Sequence, residues 1–300
     1  MGQLATADRP HRGTIFEENA RVRSVVEHPG QQYVVRLEAP RCAAAATAGT
    51  FVHVRCDASI PMRRPLSIMR ALPDEDCIDV LFKTVGSGLD ALARKQPGEV
   101  VRSLGPIGRG FAPSPERPRV LLIGGGVGIP PMLFLAETLA ADAVSWDCTV
   151  LMGSELPFPF DLVESQLPVD GLPTDCRASL ASLEALSIRT RLASLADIAQ
   201  TFRGYVTELA DRLLSNSTDE ELARTALFAC GPTPMLAATA QVANRYAVPC
   251  QVSLEEFMAC AVGGCAGCTV PVHTESGIAM QRVCVDGPVF EARQVFSPSE

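Results

Sequence analysis

The chain has 300 residues, and its 47% hydrophobic content supplies enough material for folded cores and excludes an intrinsically disordered protein. A net charge of −8, with 3 Tyr and 1 Trp, argues against nucleic-acid binding, which needs basic patches interleaved with aromatic residues. No apolar run reaches the roughly 18 residues of a membrane-spanning helix, so we expect neither nucleic acid nor membrane as a partner.

The N-terminal stretch MGQLATADRPHRGTIF is polar and lacks the basic segment and apolar run of a signal peptide. We therefore expect a cytoplasmic protein. In that reducing compartment, clustered cysteines are more often metal ligands or catalytic groups than disulfides, which directs attention to the 11 cysteines of this chain.

The first predicted domain, residues 1–113, is rich in short β-type runs that are broken by turns. These runs are GTIFEENARVRSVVEH, QQYVVRLEAP, GTFVHVRC, DCIDVLFKTVG and GEVVRSLGPIG. Such spacing predicts an antiparallel β-barrel or β-sandwich.

Two segments of this domain have residues that suit an anion. In MRRPLSIM, Arg64 and Ser67 together offer a guanidinium fork and a hydroxyl to a pyrophosphate. In FKTVGSGLDAL, Gly86 and Gly88 precede a helical run and predict an anion-binding nest. The alternative for the first segment is a surface arginine beside a proline at the edge of a strand.

The second predicted domain, residues 114–249, alternates strands with helices. RVLLIGGGVGIPPMLFLAETLAA predicts an apolar strand, a glycine turn and a helix, and DCTVLMGS and TALFACGP predict two further strands. This alternation predicts a parallel α/β domain. The glycine turn suits a phosphate at a helix N-terminus, although it departs from G-x-G-x-x-G and also fits a plain strand-to-helix turn. A second turn, CGPTPML, is predicted at the same sheet edge.

The third predicted domain, residues 250–300, carries four cysteines with the spacing C-x4-C-x2-C...C, namely Cys260, Cys265, Cys268 and Cys284. This is the plant-type ferredoxin spacing for a [2Fe-2S] cluster. Small residues between the cysteines let the backbone curl and direct N–H groups at the cluster sulfurs. A four-cysteine zinc site and unliganded core cysteines are the alternatives, but a second C-x2-C pair typical of zinc is missing. Ser253 and Glu256 match a capping box and predict a short helix before the cysteines.

The order R-x-L-S, G-G-G-V-G-I-P-P-M with C-G-P, and C-x4-C-x2-C...C resembles the electron-transfer subunits of B-type dihydroorotate dehydrogenase, which are ferredoxin reductase-like flavoproteins. The resemblance covers nearly the whole chain, and SLEEFMACAVGGCAGC is its most specific part. It implies a multidomain fold with an antiparallel β-barrel that binds FAD, a parallel α/β domain that binds NAD(P) and a small C-terminal [2Fe-2S] module.

Carried over by position, the resemblance implies three groups of site residues. The FAD group is Arg64, Pro65, Leu66, Ser67, Lys83, Gly86, Ser87 and Gly88, with Leu66 where many relatives have an aromatic residue. The NAD(P) group is Gly125, Gly126, Gly128, Cys230, Gly231 and Pro232. The cluster ligands are Cys260, Cys265, Cys268 and Cys284. No side-chain acid or base is expected to be essential for hydride transfer.

The resemblance also implies a function in pyrimidine biosynthesis. Electrons would pass from dihydroorotate, oxidised to orotate in a separate FMN-binding catalytic subunit, through the cluster and FAD to NAD⁺, and we expect a heterotetramer. Where relatives carry an acidic segment, this chain has Arg189 and Arg191, which would suit the 2′-phosphate of NADP(H) or else be ordinary solvated residues.

Three other functions remain open from the sequence. A reductase subunit of an NAD(P)H-dependent ferredoxin oxidoreductase or of a cytoplasmic hydrogenase would use the same cofactors with another partner. An iron-sulfur redox sensor would report through the cluster and show no rapid reduction of bound flavin by nicotinamide. A structural zinc protein would be colourless.

Overall fold

The computed structural model describes residues 13–296, which form a closed β-barrel, a seven-stranded sheet and two small two-stranded sheets. The N-terminal segment on which the prediction of a cytoplasmic location depends lies largely outside these residues. The outer bounds of the predicted domains, at residues 1 and 300, also lie outside them.

The barrel contains six strands, and each strand pairs antiparallel with its neighbours in the order β1-β2-β5-β4-β3-β6. Alternating apolar side chains fill its interior, as a closed barrel requires. The antiparallel barrel is therefore confirmed in preference to a sandwich. Its elements are β1 (Phe16–His28), β2 (Gln32–Glu38), α1 (Pro40–Ala45), β3 (Phe51–Arg55), β4 (Arg64–Leu72), β5 (Cys77–Lys83), α2 (Gly86–Ala93) and β6 (Val100–Ile107).

The barrel wall divides between β4 and β5. Residues 68–72 of β4 pair with residues 77–80 of β5, with a register shift next to Ile68. The first residues of β4, 64–67, pair only with β3, and the last residues of β5, 81–83, pair only with β2. Because the two strand ends have different partners, the wall is open between them on the side that carries R-x-L-S.

The larger sheet has the order β12-β11-β8-β7-β13-β14-β17, and all its strand pairs are parallel except the last. The predicted α/β alternation is present. Its elements are β7 (Arg119–Gly125), α3 (Ile129–Ala140), β8 (Asp147–Gly153), β9 (Leu162–Glu164), β10 (Ala178–Leu180), α4 (Ala181–Ala185), β11 (Arg189–Ser194), β12 (Phe202–Arg203), α5 (Val206–Ser215), α6 (Asp219–Ala223), β13 (Thr225–Cys230), α7 (Thr233–Arg245), β14 (Cys250–Ser253) and β17 (Val289–Glu291).

The C-terminal part adds a hairpin of β15 (Thr269–Thr274) and β16 (Gly277–Arg282), and ends in α8 (Ala292–Val295). The predicted helix after Ser253 is wrong, because Ser253 ends β14 and residues 254–268 contain no helix. Both β14 and β17 belong to the larger sheet, although residues 250–300 were predicted as a separate module. The bounds of the domains stay a prediction.

Specific contacts hold the three parts together. Arg70 of the barrel donates from Nε to both carboxylate oxygens of Glu137 on α3, at 2.8 and 2.9 Å. The C-terminal part packs apolar side chains against Phe51 and Ile107 on the outside of the barrel. None of the helices in residues 13–296 combines the length and the apolar content needed to cross a membrane.

Candidate functional site

A cavity of about 1060 Å³ lies where the barrel, the carboxyl edge of the larger sheet and the C-terminal part meet. The opening between β4 and β5 forms one side of it, and the turn after β13 forms another. The predicted site residues that line this cavity are Arg64, Pro65, Leu66, Ser67, Lys83, Gly128, Cys230, Gly231 and Pro232.

Two of the other predicted glycines, Gly88 and Gly125, allow close packing beside this wall. Gly88 is in the first turn of α2, and a Cβ there would lie 2.8 Å from Nε of Arg64. Gly125 ends β7, and a Cβ there would run into the sulfur of Met235. Gly88 thus lets the Arg64 side chain lie across the start of α2. Gly86, Ser87 and Gly126 occupy the first positions of α2 and of the turn after β7.

The barrel side of the cavity carries uncompensated positive charge. Arg64 donates from Nη1 to the carbonyl oxygens of Met62 at 2.9 Å and Arg63 at 3.2 Å. Within residues 13–296, no carboxylate forms an ion pair with Arg64 or Lys83. Two cations beside the N-terminus of α2 suit a pyrophosphate group, so this side of the cavity fits the FAD phosphates.

Apolar side chains that sequence reasoning missed complete the cavity. Phe257 is 93% exposed, and Met62, Val85 and Val127 are exposed as well, yet all four line the cavity. A flat aromatic ligand would cover them, as apolar walls do in most ligand sites. Nothing in the local sequence connects Phe257 with the R-x-L-S segment, because about two hundred residues separate them and only the fold brings them together.

The nucleotide edge of the sheet brings the two predicted turns together. Gly124 of β7 pairs directly with Cys230 of β13, and a Cβ on Gly128 would overlap the Cys230 carbonyl. Burial raises the pKa of the Cys230 thiol to about 12, although a hydrogen bond with Ser253 opposes the shift. This thiol therefore stays protonated at neutral pH and does not act as a nucleophile.

The structure places neither arginine of the predicted 2′-phosphate site at this edge. Arg189 begins β11 and pairs with Asp147 at the opposite, amino end of the sheet. Arg191 is 5% exposed and donates to the carbonyl oxygens of Thr190 at 2.7 Å and Leu167 at 2.6 Å. Both expectations for Arg191 are wrong, since it neither reaches the nucleotide edge nor is solvated.

The four cluster cysteines form two pairs. The sulfurs of Cys268 and Cys284 lie 3.4 Å apart and are buried, whereas the backbone N–H of Cys265 donates to the sulfur of Cys260 at 3.4 Å. Across residues 13–296, no three His, Cys, Asp or Glu side chains converge on one point as ligands of a single ion do. Two pairs suit a two-iron cluster with two thiolates for each iron better than one tetrahedral zinc ion.

The loop contains the same three-residue arrangement twice: a cysteine, an alanine with positive φ, and a residue whose N–H donates to the cysteine sulfur. Ala261 follows Cys260 with φ of 55°, and Ala266 follows Cys265 with φ of 54°. In each arrangement the next N–H donates back to the cysteine sulfur, from Val262 at 3.5 Å and from Gly267 at 3.4 Å. A left-handed residue between donor and acceptor therefore creates each of these hydrogen bonds, and alanine is small enough to tolerate it.

These hydrogen bonds change the acidity of the thiols. Burial opposes ionisation of Cys260, but N–H groups of Val262, Cys265 and Gly264 outweigh it and lower the pKa to about 7. Burial and the neighbouring Cys268 raise the pKa of Cys284 to about 12. Cys284 would therefore have to give up a tightly held proton to ligate iron, whereas about half of Cys260 would already be thiolate at neutral pH.

The cavity shares a wall with residues 254–268, the loop that carries three of the four cluster cysteines and is called the cluster loop below. Ala259 and Gly267 line the cavity and are the chain neighbours of Cys260 and Cys268. At two places, therefore, a residue that lines the cavity is directly followed in the chain by a cluster ligand. The same residues that would hold a flavin thus lie beside those that would hold the iron.

A histidine lies buried between the barrel and the C-terminal part. His53 on β3 is 0% exposed, and neither ring nitrogen has a hydrogen-bond partner within residues 13–296. The backbones of Met258 and Arg63 lie beside the ring and partly offset the shift of its pKa. Burial first, and the charge of Arg63 second, lower that pKa to about 4, so the ring is neutral at pH 7.

Comparison with known proteins identifies the family. The iron-sulfur cluster binding domain of dihydroorotate dehydrogenase B matches residues 255–296. Over 281 residues the chain is 32% identical to the dihydroorotate dehydrogenase B (NAD(+)) electron transfer subunit of Desulforamulus reducens, covering 92% of this chain and 97% of the relative. The chain belongs to this family of electron transfer subunits. The subunit of Bacillus caldolyticus is 34% identical over 252 residues, or 82% of this chain and 86% of the relative.

Solved structures share the fold of this electron transfer subunit. An NADH-dependent reduced ferredoxin-NADP oxidoreductase, studied for flavin-based electron bifurcation, has a TM-score of 0.75 at 24% identity, over 93% of this chain and 90% of that chain. The ferredoxin reductase of carbazole 1,9a-dioxygenase has a TM-score of 0.61 at 20% identity, over 78% of this chain and 67% of that chain. The predicted ferredoxin reductase-like fold is confirmed.

Membership of the family confirms the predicted function and cofactor classes. The chain is an electron-transferring oxidoreductase subunit that uses FAD, an iron-sulfur cluster and a nicotinamide nucleotide. As an electron transfer subunit it works with a separate catalytic subunit. The assignment of individual residues to each cofactor stays a prediction.

The charge at the barrel side of the cavity predicts the effect of Arg64→Ala. We expect the Kd for FAD to rise about 10- to 100-fold, because a charge-assisted hydrogen bond contributes about 1.5 to 3 kcal/mol. Fluorescence titration of the flavin-free chain measures this. Arg23→Ala is the control, because Arg23 lies on the barrel and pairs with Glu38 away from the cavity. Equal FAD affinity in the two variants would contradict a phosphate contact at Arg64.

The left-handed alanine predicts opposite outcomes for two substitutions at residue 266. Ala266→Val should destabilise the loop by about 2 kcal/mol, because a branched side chain strongly disfavours positive φ. Ala266→Gly keeps the conformation and should retain the cluster. Iron content and the rate of loss of visible absorbance compare the variants. The same cluster lifetime in both would mean that the backbone conformation at Ala266 does not hold the sulfur hydrogen bond.

His53 predicts a pH dependence of stability. Its folded pKa of about 4 lies below the unfolded value of 6.5, so only the unfolded chain takes up this proton as the pH falls between the two. The free energy of unfolding should therefore fall by about 2 to 3 kcal/mol between pH 7 and pH 4.5 through this group. Urea denaturation of His53→Gln should lack this component, whereas the control His28→Gln should keep it. Parallel pH profiles for all three chains would be evidence against a buried neutral ring.

Proposed function

We propose that this chain connects a dihydroorotate-oxidising, FMN-binding catalytic subunit to NAD⁺ in pyrimidine biosynthesis, within a heterotetramer. Cys260, Cys265, Cys268 and Cys284 would hold the [2Fe-2S] cluster that receives the electrons, and the cavity would hold the FAD that passes them to NAD⁺. The observation that carries this order is the shared wall, since Ala259 and Gly267 belong both to the cavity and to the cluster loop.

The residues of the chain bind and orient the cofactors. Arg64, Lys83 and the N-terminus of α2 neutralise the FAD phosphates, while Phe257 and the other apolar residues of the cavity cover its ring system. When bound, FAD supplies the chemistry, because it exchanges hydride with nicotinamide and single electrons with the cluster. Cys230 remains a neutral thiol on the cavity wall, and no side chain is required as a proton donor for the hydride step.

The nicotinamide nucleotide lies across the turns that follow β7 and β13. The glycines there let a phosphate approach the sheet edge, as in other α/β nucleotide sites. We assign NAD⁺ rather than NADP⁺ as the acceptor. The positions of Arg189 and Arg191 support this choice, because neither guanidinium is available to a 2′-phosphate at that edge.

A cytoplasmic location agrees with the state of the cysteines. All 11 lie within residues 13–296, and none forms a disulfide. Free thiols in this number suit a reducing compartment, where dihydroorotate and NAD⁺ would both be available to the complex.

The order of carriers predicts the phenotype of Cys265→Ser. The variant should lose the visible absorbance of the cluster but keep most of its NADH-driven FAD reduction, because hydride transfer to FAD does not involve the cluster. With the catalytic subunit present, it should lose dihydroorotate-driven reduction of NAD⁺. Anaerobic stopped-flow absorbance follows the first reaction, and steady-state formation of NADH follows the second.

Cys148→Ser is the matched control, because Cys148 lies on β8 away from the cluster loop. It should keep the cluster and both reactions. Equal loss of both reactions in a folded Cys265→Ser chain would overturn the order of carriers. Slow reduction of FAD by NADH in the unmodified chain would instead favour the redox-sensor alternative.

A further inference from the structure

In the hairpin of β15 and β16, the larger apolar side chains of β16 lie on the exposed face and its smaller or polar ones on the inner face. Its inner face, against the barrel, contains Val270 and Val272 but also the small Ala279 and the polar Gln281. The larger apolar side chains of β16 point outward, with Ile278 66% and Met280 63% exposed. A hairpin that met only water on its outer face would show the reverse alternation.

The outer face of the hairpin is a paired surface rather than two isolated side chains. Met280 lies opposite Pro271, and Ile278 lies opposite His273, so all four side chains share one face. Directly opposite residues in an antiparallel pair lie close enough for their side chains to touch. This face, defined by Pro271, His273, Ile278 and Met280, is the hairpin surface.

The hairpin surface continues into the cluster loop. Arg282 follows on the same face of β16 and donates from Nη1 to the carbonyl oxygen of Gly263 at 3.2 Å. The neighbouring Val262 is 50% exposed, and the ligand Cys265 is exposed. Exposed apolar side chains therefore lie on both sides of Arg282, on the hairpin and beside the cluster cysteines.

The exposed apolar residues near the cluster divide into two groups. Met62, Val85, Val127 and Phe257 line the cavity, where cofactors would cover them. Val262, Ile278 and Met280 do not line the cavity. Cofactor binding therefore leaves the hairpin surface uncovered, and exposed apolar side chains grouped in this way mark a contact with another macromolecule.

We propose that the hairpin surface, together with Val262, is where the catalytic subunit docks. The inference rests on the proposed function, because an electron leaving the catalytic subunit must enter the cluster and Cys265 is the exposed ligand. Arg282 ties the hairpin surface to the loop that carries that ligand, so a partner seated on this surface would lie beside the cluster. The catalytic subunit should present an apolar patch, since the centre of a stable interface is apolar and its rim polar.

The test uses the cofactor-loaded chain and the separately purified dihydroorotate dehydrogenase catalytic subunit of the same organism. Ile278→Lys/Met280→Lys should weaken their binding about 100-fold or more, because it places two charges at an apolar contact. The cluster absorbance and the NADH-driven reduction of FAD should not change. Leu162→Lys/Val163→Lys is the control, because it changes two exposed apolar residues on β9 and should leave binding unaltered.

A milder variant covers the case in which two lysines disturb the cluster. Ile278→Thr/Met280→Gln keeps side chains of similar size and should weaken binding about tenfold. Unchanged affinity in both hairpin variants, with cluster and FAD reduction intact, would overturn the docking surface alone. Loss of self-association without loss of catalytic-subunit binding would also overturn it, by assigning the surface to a second copy of this chain. Absence of binding by the unmodified chain would overturn both the surface and the proposed function.

Discussion

The arrangement of the molecule depends on the separation of β4 from β5. A closed barrel normally hides its backbone hydrogen bonds within a continuous wall. Here residues 64–67 and 81–83 pair with different neighbours, so the wall opens where Arg64 and Lys83 lie. The opening gives the barrel a concave, positively charged side, and the nucleotide sheet and the cluster loop both face it. Without that opening the barrel would offer only a convex surface to either of them.

The sequence predicted those parts of the site that depend on local chemistry. Glycine turns after strands, the four cysteine positions and five barrel strands all follow from residues close together in the chain. It did not identify β4 as a strand, because Pro65 and the preceding arginines disfavour that assignment, although Pro65 lies near the strand's beginning. It also could not place Phe257 in the cavity or Arg189 at the far end of the sheet, because both positions depend on contacts between distant segments.

The cluster loop shows how small residues can have different purposes within one motif. Small residues were expected to let the backbone curl, and the two residues directly after Cys260 and Cys265 are alanines in the left-handed region. Each alanine fixes one N–H toward sulfur, at Cys260 and at Cys265. The N–H groups that reach Cys260 lower its pKa, while the buried Cys284 stays protonated. The two sides of the cluster site thus differ in polarity and in exposure before iron binds, so the two irons would have unequal surroundings.

The segment that follows Cys284 is attached on two sides, to the larger sheet and to the end of the barrel. At β17 it pairs antiparallel with β14, and the N–H of Leu254 donates to the carbonyl oxygen of Pro288 at 2.9 Å. The N–H of Arg109, just after the barrel, donates to the carbonyl oxygen of Gly287 at 2.6 Å. The segment that follows Cys284 therefore acts as a strut between the barrel and the nucleotide sheet. A hinge motion that widened the nucleotide cleft would have to break one of these attachments or move the cluster loop as well. The two attachments would therefore keep the distance between the cluster and the cavity constant.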